Sequence, residues 1–411
     1  MISTLQTPAV VKSLHIPSAA VEFPNGWRWE RLDQVCESVT DCPHSTPVLT
    51  NAGPYVARSQ DIRSGVFRTE EAGRVSEETY RQRIDRAEPR HGDLLYSREG
   101  TYFGIAAEIP EGARVCLGQR MVLLRPEPDR LHFRFLRYWL NSPIMAGHIH
   151  GFRDGTVAER LNMPVIRTLP VAVPPLSEQR AIAGVLGALD DKIELNRRMN
   201  ATLEALAKTL FQKMMYEGGG EPGKLADLVD LQMDRVDATP AKNSERYIAL
   251  EDMPSKSIDL SNYQPGSAVN SSIIRFRKGD VLFGSMRPYF HKVGLAFFDG
   301  ITRTTTFVLR PKQARYQLFA LFNFFSTDVV EYATTASVGT TIPYVRWDAL
   351  QKYEIAIPSD TVLAAFEHKV TPLVQRIVVN GEESRTLAAL RNALLPKLLS
   401  GAVRVKAGKN L

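Results

Sequence analysis

The sequence predicts an α+β protein of two globular, mixed α/β domains, each followed by a long helix, the two helices forming an antiparallel coiled coil with pseudo-two-fold symmetry. Three observations predict it. The chain has 411 residues, more than one hydrophobic core usually serves, so two domains are expected. The stretch "IELNRRMNATLEALAKTLFQKM" (193–214) returns 184 residues later as "IVVNGEESRTLAALRNALLPKL" (377–398). Both copies place apolar residues in alternating steps of four and three, the seam of a coiled coil.

Taken in order, residues 1–26 are a polar N-terminal extension with no apolar signal core. Residues 27–176 form the first globular domain, with a strand in "GDLLYSREG" (92–100) and a helix-length apolar run in "LHFRFLRYWLN" (131–141). Residues 177–217 form the central helix. Pro174-Pro175 block an earlier start, Ser177 can cap and Glu178 sits at the positive end of the dipole. From 178 to 216 the helix should measure about 58 Å at 1.5 Å per residue. Its seam is Ile182, Leu186, Leu189, Ile193, Asn196, Asn200, Leu203, Ala207, Leu210 and Met214. "EGGGEPG" (217–223) reads as a flexible breaker at the domain boundary.

Residues 218–360 form the second domain, with strands in "SSIIRF" (271–276), "GDVLFG" (279–284) and "TTTFVLRP" (304–311) and a helical run in "YQLFALFNFF" (316–325). Residues 361–402 form the C-terminal helix, and 403–411 a tail. Its seam is Phe366, Val370, Leu373, Ile377, Asn380, Ser384, Leu387, Arg391, Leu394 and Leu398. Pro372 and Pro396 lack the donor that a helix interior uses, which predicts kinks near both ends.

The two halves are a duplication. Over residues 193–217, eight of 25 pairs related by the 184-residue offset are identical without a gap. Earlier in each half the likeness thins and the loops differ in length. Helix pairing can be parallel or antiparallel on this pattern; the antiparallel form relates the halves by a two-fold axis. Asn196 and Asn380 fall mid-seam, where a buried Asn fixes register at a cost in stability. The alternative is that they face solvent through a loose spot.

Composition is that of a soluble globular chain, 44% apolar and 23% charged, without an 18-residue apolar run, which points to the cytoplasm and to no membrane partner. Cys36, Cys42 and Cys116 are an odd number without metal-ligand spacing, so reduced thiols and no metal are expected. A net charge of +6 fits a polyanion partner weakly, but residues 27–175 carry 20 Arg and no Lys against 19 acidic residues. Arg suits bidentate recognition of guanine edges and phosphates. Catalytic signatures are missing: "GGEPGKL" follows a helix and lacks the Ser or Thr of a phosphate loop, and "NSPI" (141–144) lacks the second Pro and the aromatic residue of an adenine methyltransferase loop. No catalytic residues and no cofactor of its own are therefore expected.

"PLSEQRAIAGVLGALDDKIELNRRMNATLEAL" (175–206), "LLPKLLSG" (394–401) and "DCPHSTP" (41–47), on a duplicated domain-then-helix plan, resemble the specificity subunit of type I restriction-modification enzymes. The likeness runs from about 27 to 405; Val362-Leu363 replace the Glu-Gln of the first helix start. The resemblance implies a non-catalytic subunit whose two target recognition domains each read half of a bipartite site in double-stranded DNA. It also implies partners: two modification subunits that bring S-adenosylmethionine and methylate adenine N6, and restriction subunits that use ATP.

Candidate DNA-binding residues follow the strand that begins with Gly-Asp in each half: Arg98 in the first, and Arg287, Tyr289, His291 and Lys292 in the second. Gly155-Thr156 and Gly339-Thr340-Thr341 could bring backbone amides to phosphates. "RPYFHK" also reads as a structural turn. From a different class, the chain could be a coiled-coil adaptor that joins two protein-binding modules and never touches DNA; a steep salt dependence of DNA binding separates the two.

Overall fold

The computed structural model describes residues 23–63, 65–100, 102–150, 160–236, 245–269 and 272–405. By contacts the chain divides into two units, Met1–Asp190 with Leu390–Leu411, and Asp191–Ala389. The division falls inside both long helices, Leu176–Gly218 and Asp360–Leu399, so each helix gives one end to each unit.

In the first unit a six-stranded sheet runs Cys36–Asp41, Met121–Pro126, Leu94–Ser97, Ala106–Glu108, Val66–Phe67, Ile62–Arg63. The strand Leu94–Ser97 is buried along its whole length, as a central strand of apolar residues should be. Helix Phe133–Leu140 covers the sheet and buries Phe135, Leu136 and Trp139. Ile182, Ala183 and Leu186 of the central helix join the same core as Leu398 and Leu399 of the C-terminal helix, so the two helix ends lie antiparallel there.

The second unit repeats the plan. Its four-stranded sheet, Val229–Gln232, Thr306–Pro311, Val281–Gly284, Val293–Leu295, matches the first four strands above in order. Helix Gln317–Phe324 again covers the sheet, with Leu318 through Phe324 buried. Ala207, Phe211 and Met214 of the central helix share this core with Phe366, Val370, Val374 and Ile377, again antiparallel. A further sheet of five short strands includes Gly300–Arg303, just before the strand Thr306–Pro311 that the "TTTFVLRP" run predicts. The turn at Thr304–Thr305 ends one strand and begins the next.

Every predicted seam position is buried or half-buried in its own unit. Two local expectations fail. The central helix begins at Leu176, directly after Pro175, so Ser177 lies within the first turn and is not its cap. The segment after this helix is not a flexible breaker: Glu221–Lys224 pairs antiparallel with Glu354–Ile357. Its glycines serve close approach, since a Cβ on Gly223 would stand 2.5 Å from Ile357 Cδ1. The C-terminal helix continues through Pro372 and Pro396, which both lie exposed, where water can satisfy the carbonyls they leave unpaired.

Candidate nucleic-acid interface

In the second unit two segments distant in sequence meet at the surface. One is the turn 285–291 that follows strand Val281–Gly284; the other is the loop 338–344. Val338 and Tyr344 exchange both backbone hydrogen bonds, at 2.9 and 3.0 Å, which closes the loop. Arg287 N–H donates to Pro343 O at 2.7 Å and Val345 N–H to Ser285 O at 3.0 Å, which ties the loop to the turn.

The turn itself is rigid. Arg287 and His291 take left-handed φ values of +47° and +51° on either side of the short 3₁₀ turn Pro288–Phe290. Non-glycine residues hold that conformation only when their surroundings demand it. Here His291 is buried, with Nε2 2.9 Å from Phe325 O, and Lys292 Nζ donates to Leu250 O at 2.6 Å. Burial pushes the His291 imidazole below its ordinary range, against the Phe325 carbonyl, and Lys208 and Lys256 push the same way, so it is neutral near pH 7.

His291 and Lys292, read from sequence as contact residues, thus face inward and hold the turn. Arg287, Tyr289, Gly339, Thr340 and Thr341 are exposed on its outside. Gly339 has φ +90°, which a tight loop tip needs and an L side chain resists. Sequence reasoning missed Phe290, Val338, Ile342 and Tyr344, which are exposed on the same two segments. The signal was there: apolar residues set between Gly and Pro, where a loop would ordinarily be polar.

The first unit has the corresponding meeting. Leu161 N–H donates to Arg98 O at 2.8 Å and Glu99 bridges Arg160, as Val345 meets Ser285 and Tyr344 meets Met286. Arg98 is not free: its Nη1 lies 3.1 Å from both carboxylate oxygens of Asp41. Asp41 opens the "DCPHSTP" segment, whose carbonyls at Pro43 and Ser45 accept from the buried Arg83. Gly155 and Thr156 lie outside the described residues.

The register residues are settled by burial. Asn196 and Asn380 are both fully buried within the second unit. Asn196 Nδ2 donates to Ser384 Oγ at 3.2 Å and Asn380 Nδ2 to Asn200 Oδ1 at 2.8 Å. These two bonds are the same bond under the 184-residue offset, so a local two-fold axis of the helix pair passes between them. Elsewhere on the helices an outward stripe recurs: Leu195, Met199, Thr202, Leu206 on one and Val379, Glu383, Thr386, Leu390 on the other. Its four Leu and Val side chains are exposed.

The type I restriction modification DNA specificity domain family matches residues 24–205. The chain is 23% identical over 315 residues to the type I restriction enzyme MjaIX specificity subunit of Methanocaldococcus jannaschii, covering 68% of this chain and 71% of that one. It is 21% identical over 344 residues to the MjaVIII specificity subunit of the same organism, covering 76% and 80%. In fold it is similar to a type I restriction-modification S subunit from M. genitalium, with a TM-score of 0.57 at 15% identity over 92% of this chain and 97% of the other. Among the described residues no helix is long and apolar enough to cross a membrane.

Proposed function

We propose, on the premise that this chain belongs to the type I restriction-modification specificity-subunit family, that it reads a bipartite site in double-stranded DNA and positions the subunits that act on it. The observation that carries this reading is the meeting of the same two segments at the surface of both units. Each unit offers one loop pair to one half-site. The second pair presents Arg287, backbone amides at Gly339–Thr341 and hydroxyls, the groups that hold phosphates and base edges.

The chain itself is non-catalytic and holds no cofactor. Two modification subunits bring S-adenosylmethionine and seat on the repeated helix stripes at Leu195 and Leu206 and at Val379 and Leu390; restriction subunits bring ATP. The assembly works in the cytoplasm. The paired helices set the distance between half-sites.

The test is the map of N6-methyladenine in cells that carry the chain with its modification partner. Replacing residues 27–175 with another first domain should change one half-site only. Inserting four residues after Ala205 adds about 6 Å of rise and roughly 400° of rotation, nearly one turn, so the gap should lengthen by one or two base pairs with the bases unchanged. A DNA-free adaptor would alter no methylated sequence and would give no steep salt slope in duplex binding.

A further inference from the structure

Tyr289, Phe290, Val338, Ile342 and Tyr344 are between 43% and 49% exposed, and all stand on the two segments tied together in the second unit. The rings of Tyr289 and Phe290 are 4.8 Å apart. Segments 285–291 and 337–346 carry Arg287 and Arg346 and no Asp or Glu; Arg346 pairs with Asp348 just beyond, at 3.1 Å. An apolar cluster on a rigid turn, ringed by cationic and hydroxyl groups, fits a polyanion that also offers apolar surface.

An intact duplex offers little of that surface beyond thymine methyls, whereas one Phe or Tyr can bury 150–250 Å². The faces of bases become available where the stack opens. Modification of adenine N6 requires the adenine to leave the stack, which opens a step beside it. We propose that Tyr289 and Phe290, backed by Val338, Ile342 and Tyr344, form a wedge that enters the duplex at the step the methylated adenine vacates. This rests on the DNA-reading function proposed above. The dipeptide recurs as Tyr102-Phe103 in the corresponding turn of the first unit, where both are half-buried and Phe103 packs against the core.

The rigid turn matters to the mechanism. A side chain that replaces a base must hold its place without help from the nucleic acid, and the left-handed residues at 287 and 291 fix both ends of the turn before binding. Filling the gap favours the extrahelical adenine by removing its way back.

The test uses the full chain with its modification subunits and a duplex carrying the mapped site, with 2-aminopurine in place of the adenine in the second domain's half-site. With the wild-type chain, fluorescence should rise several-fold on binding, as the base unstacks. With Y289A/F290A, binding should weaken by no more than about tenfold while the fluorescence rise falls by more than half, and on the unsubstituted duplex, whose adenine keeps the N6 that 2-aminopurine lacks, methylation of that half-site should slow at least about tenfold. F290W should keep the signal. On a duplex abasic at the target position, Y289A/F290A and wild type should bind alike, because no base has to be kept out. An undiminished fluorescence rise with Y289A/F290A overturns the wedge, and so does loss of modification subunits from the assembly, which would make the patch a protein interface. If the wild-type assembly binds no duplex, the DNA-reading function falls first and the wedge with it.

Discussion

The two units solve one packing problem in two chemistries. In the first, Asp190 of the central helix accepts from Arg137 Nη2 at 2.8 Å, Tyr138 Oη at 2.6 Å and Arg391 Nη1 at 2.7 Å. Glu108 holds Arg134 and lies 2.8 Å from Arg137 Nε, close but out of line for a hydrogen bond. Arg134 reaches in because position 187 is Gly, whose Cβ would stand 2.7 Å from its Nη1. In the second unit the corresponding residues are Leu295, Leu318, Leu321, Phe322, Val374 and Ala207, all in one apolar core. The sheet-helix-helix arrangement therefore does not depend on the charges.

What the charges add is choice of partner. If the central helix paired with another copy of itself, Asp190 would face Ala207; if the C-terminal helix did so, Arg391 would face Val374. Either replaces the Asp190–Arg391 ion pair by a charge facing an apolar side chain, which costs stability that the native pairing keeps. Burial raises the Asp190 pKa, but Arg137, Tyr138 and Arg391 more than offset this and hold it below the ordinary carboxylate range.

The comparison can be broken or sharpened by substitution. Asp190→Ala should have the largest effect, about 3–5 kcal/mol lost in urea unfolding, because Arg137 Nη2, Tyr138 Oη and Arg391 Nη1 all lose the carboxylate they share beside the buried Arg137 guanidinium. A loss under about 1 kcal/mol would mean that water replaces the carboxylate freely. Replacing all six first-unit residues by their second-unit counterparts (E108L/R134L/R137L/Y138F/D190V/R391A) should instead leave stability unchanged or raise it by about 1–4 kcal/mol, seen as an equal or higher Tm. A collapse of that variant would show that the charged set is required for the first unit's fold.

Acid separates the units more gently. Asp190 has a folded-state pKa below its ordinary 3.8, so its contribution is fully present above pH 4 and is lost as pH falls through the folded value. Glu204 in the second unit behaves oppositely. Burial pushes it up to about 7; Ser257, Ile258 N–H and Lys208 oppose this and Asp259 adds to it. Between pH 4.5 and 7 the folded state binds more protons than the unfolded one, so this unit should lose up to a few kcal/mol across that window. Glu204→Gln should flatten that slope in chemical denaturation measured by circular dichroism. The smallest effect is expected on the outward stripes: Leu195→Ser with Val379→Ser should shift stability by no more than about 0.5 kcal/mol. The same variant should weaken capture of modification subunits in size-exclusion chromatography.

Much of this fold was legible because helices and repeats are written locally. The steps of four and three found every buried or half-buried seam residue, and the offset found the equivalent segments. The charged set was not legible, since its members come from 108, 134–138, 190 and 391 and nothing local links them. His291 failed for the same reason: its sequence neighbours read as a surface turn, but the carbonyl it meets belongs to Phe325. In the site, glycine, proline and arginine in the loops pointed to the right segments, while the inward or outward direction of each side chain depended on contacts 34 to 57 residues away.

The position of the Asp190–Arg391 pair has a genetic consequence. Two similar stretches in one gene invite crossing over, and an exchange anywhere between codons 191 and 206 of the first copy and their counterparts in the second would delete 184 codons. The product would keep the first domain, Asp190 and Arg391 on a single helix. Two such chains laid antiparallel would match each Asp190 with the other's Arg391, and the asparagines would still meet at the centre. A deletion that removes a whole domain would thus restore the Asp190–Arg391 pair at both ends, yielding a self-complementary dimer. The intact chain carries that simpler symmetric protein one recombination away.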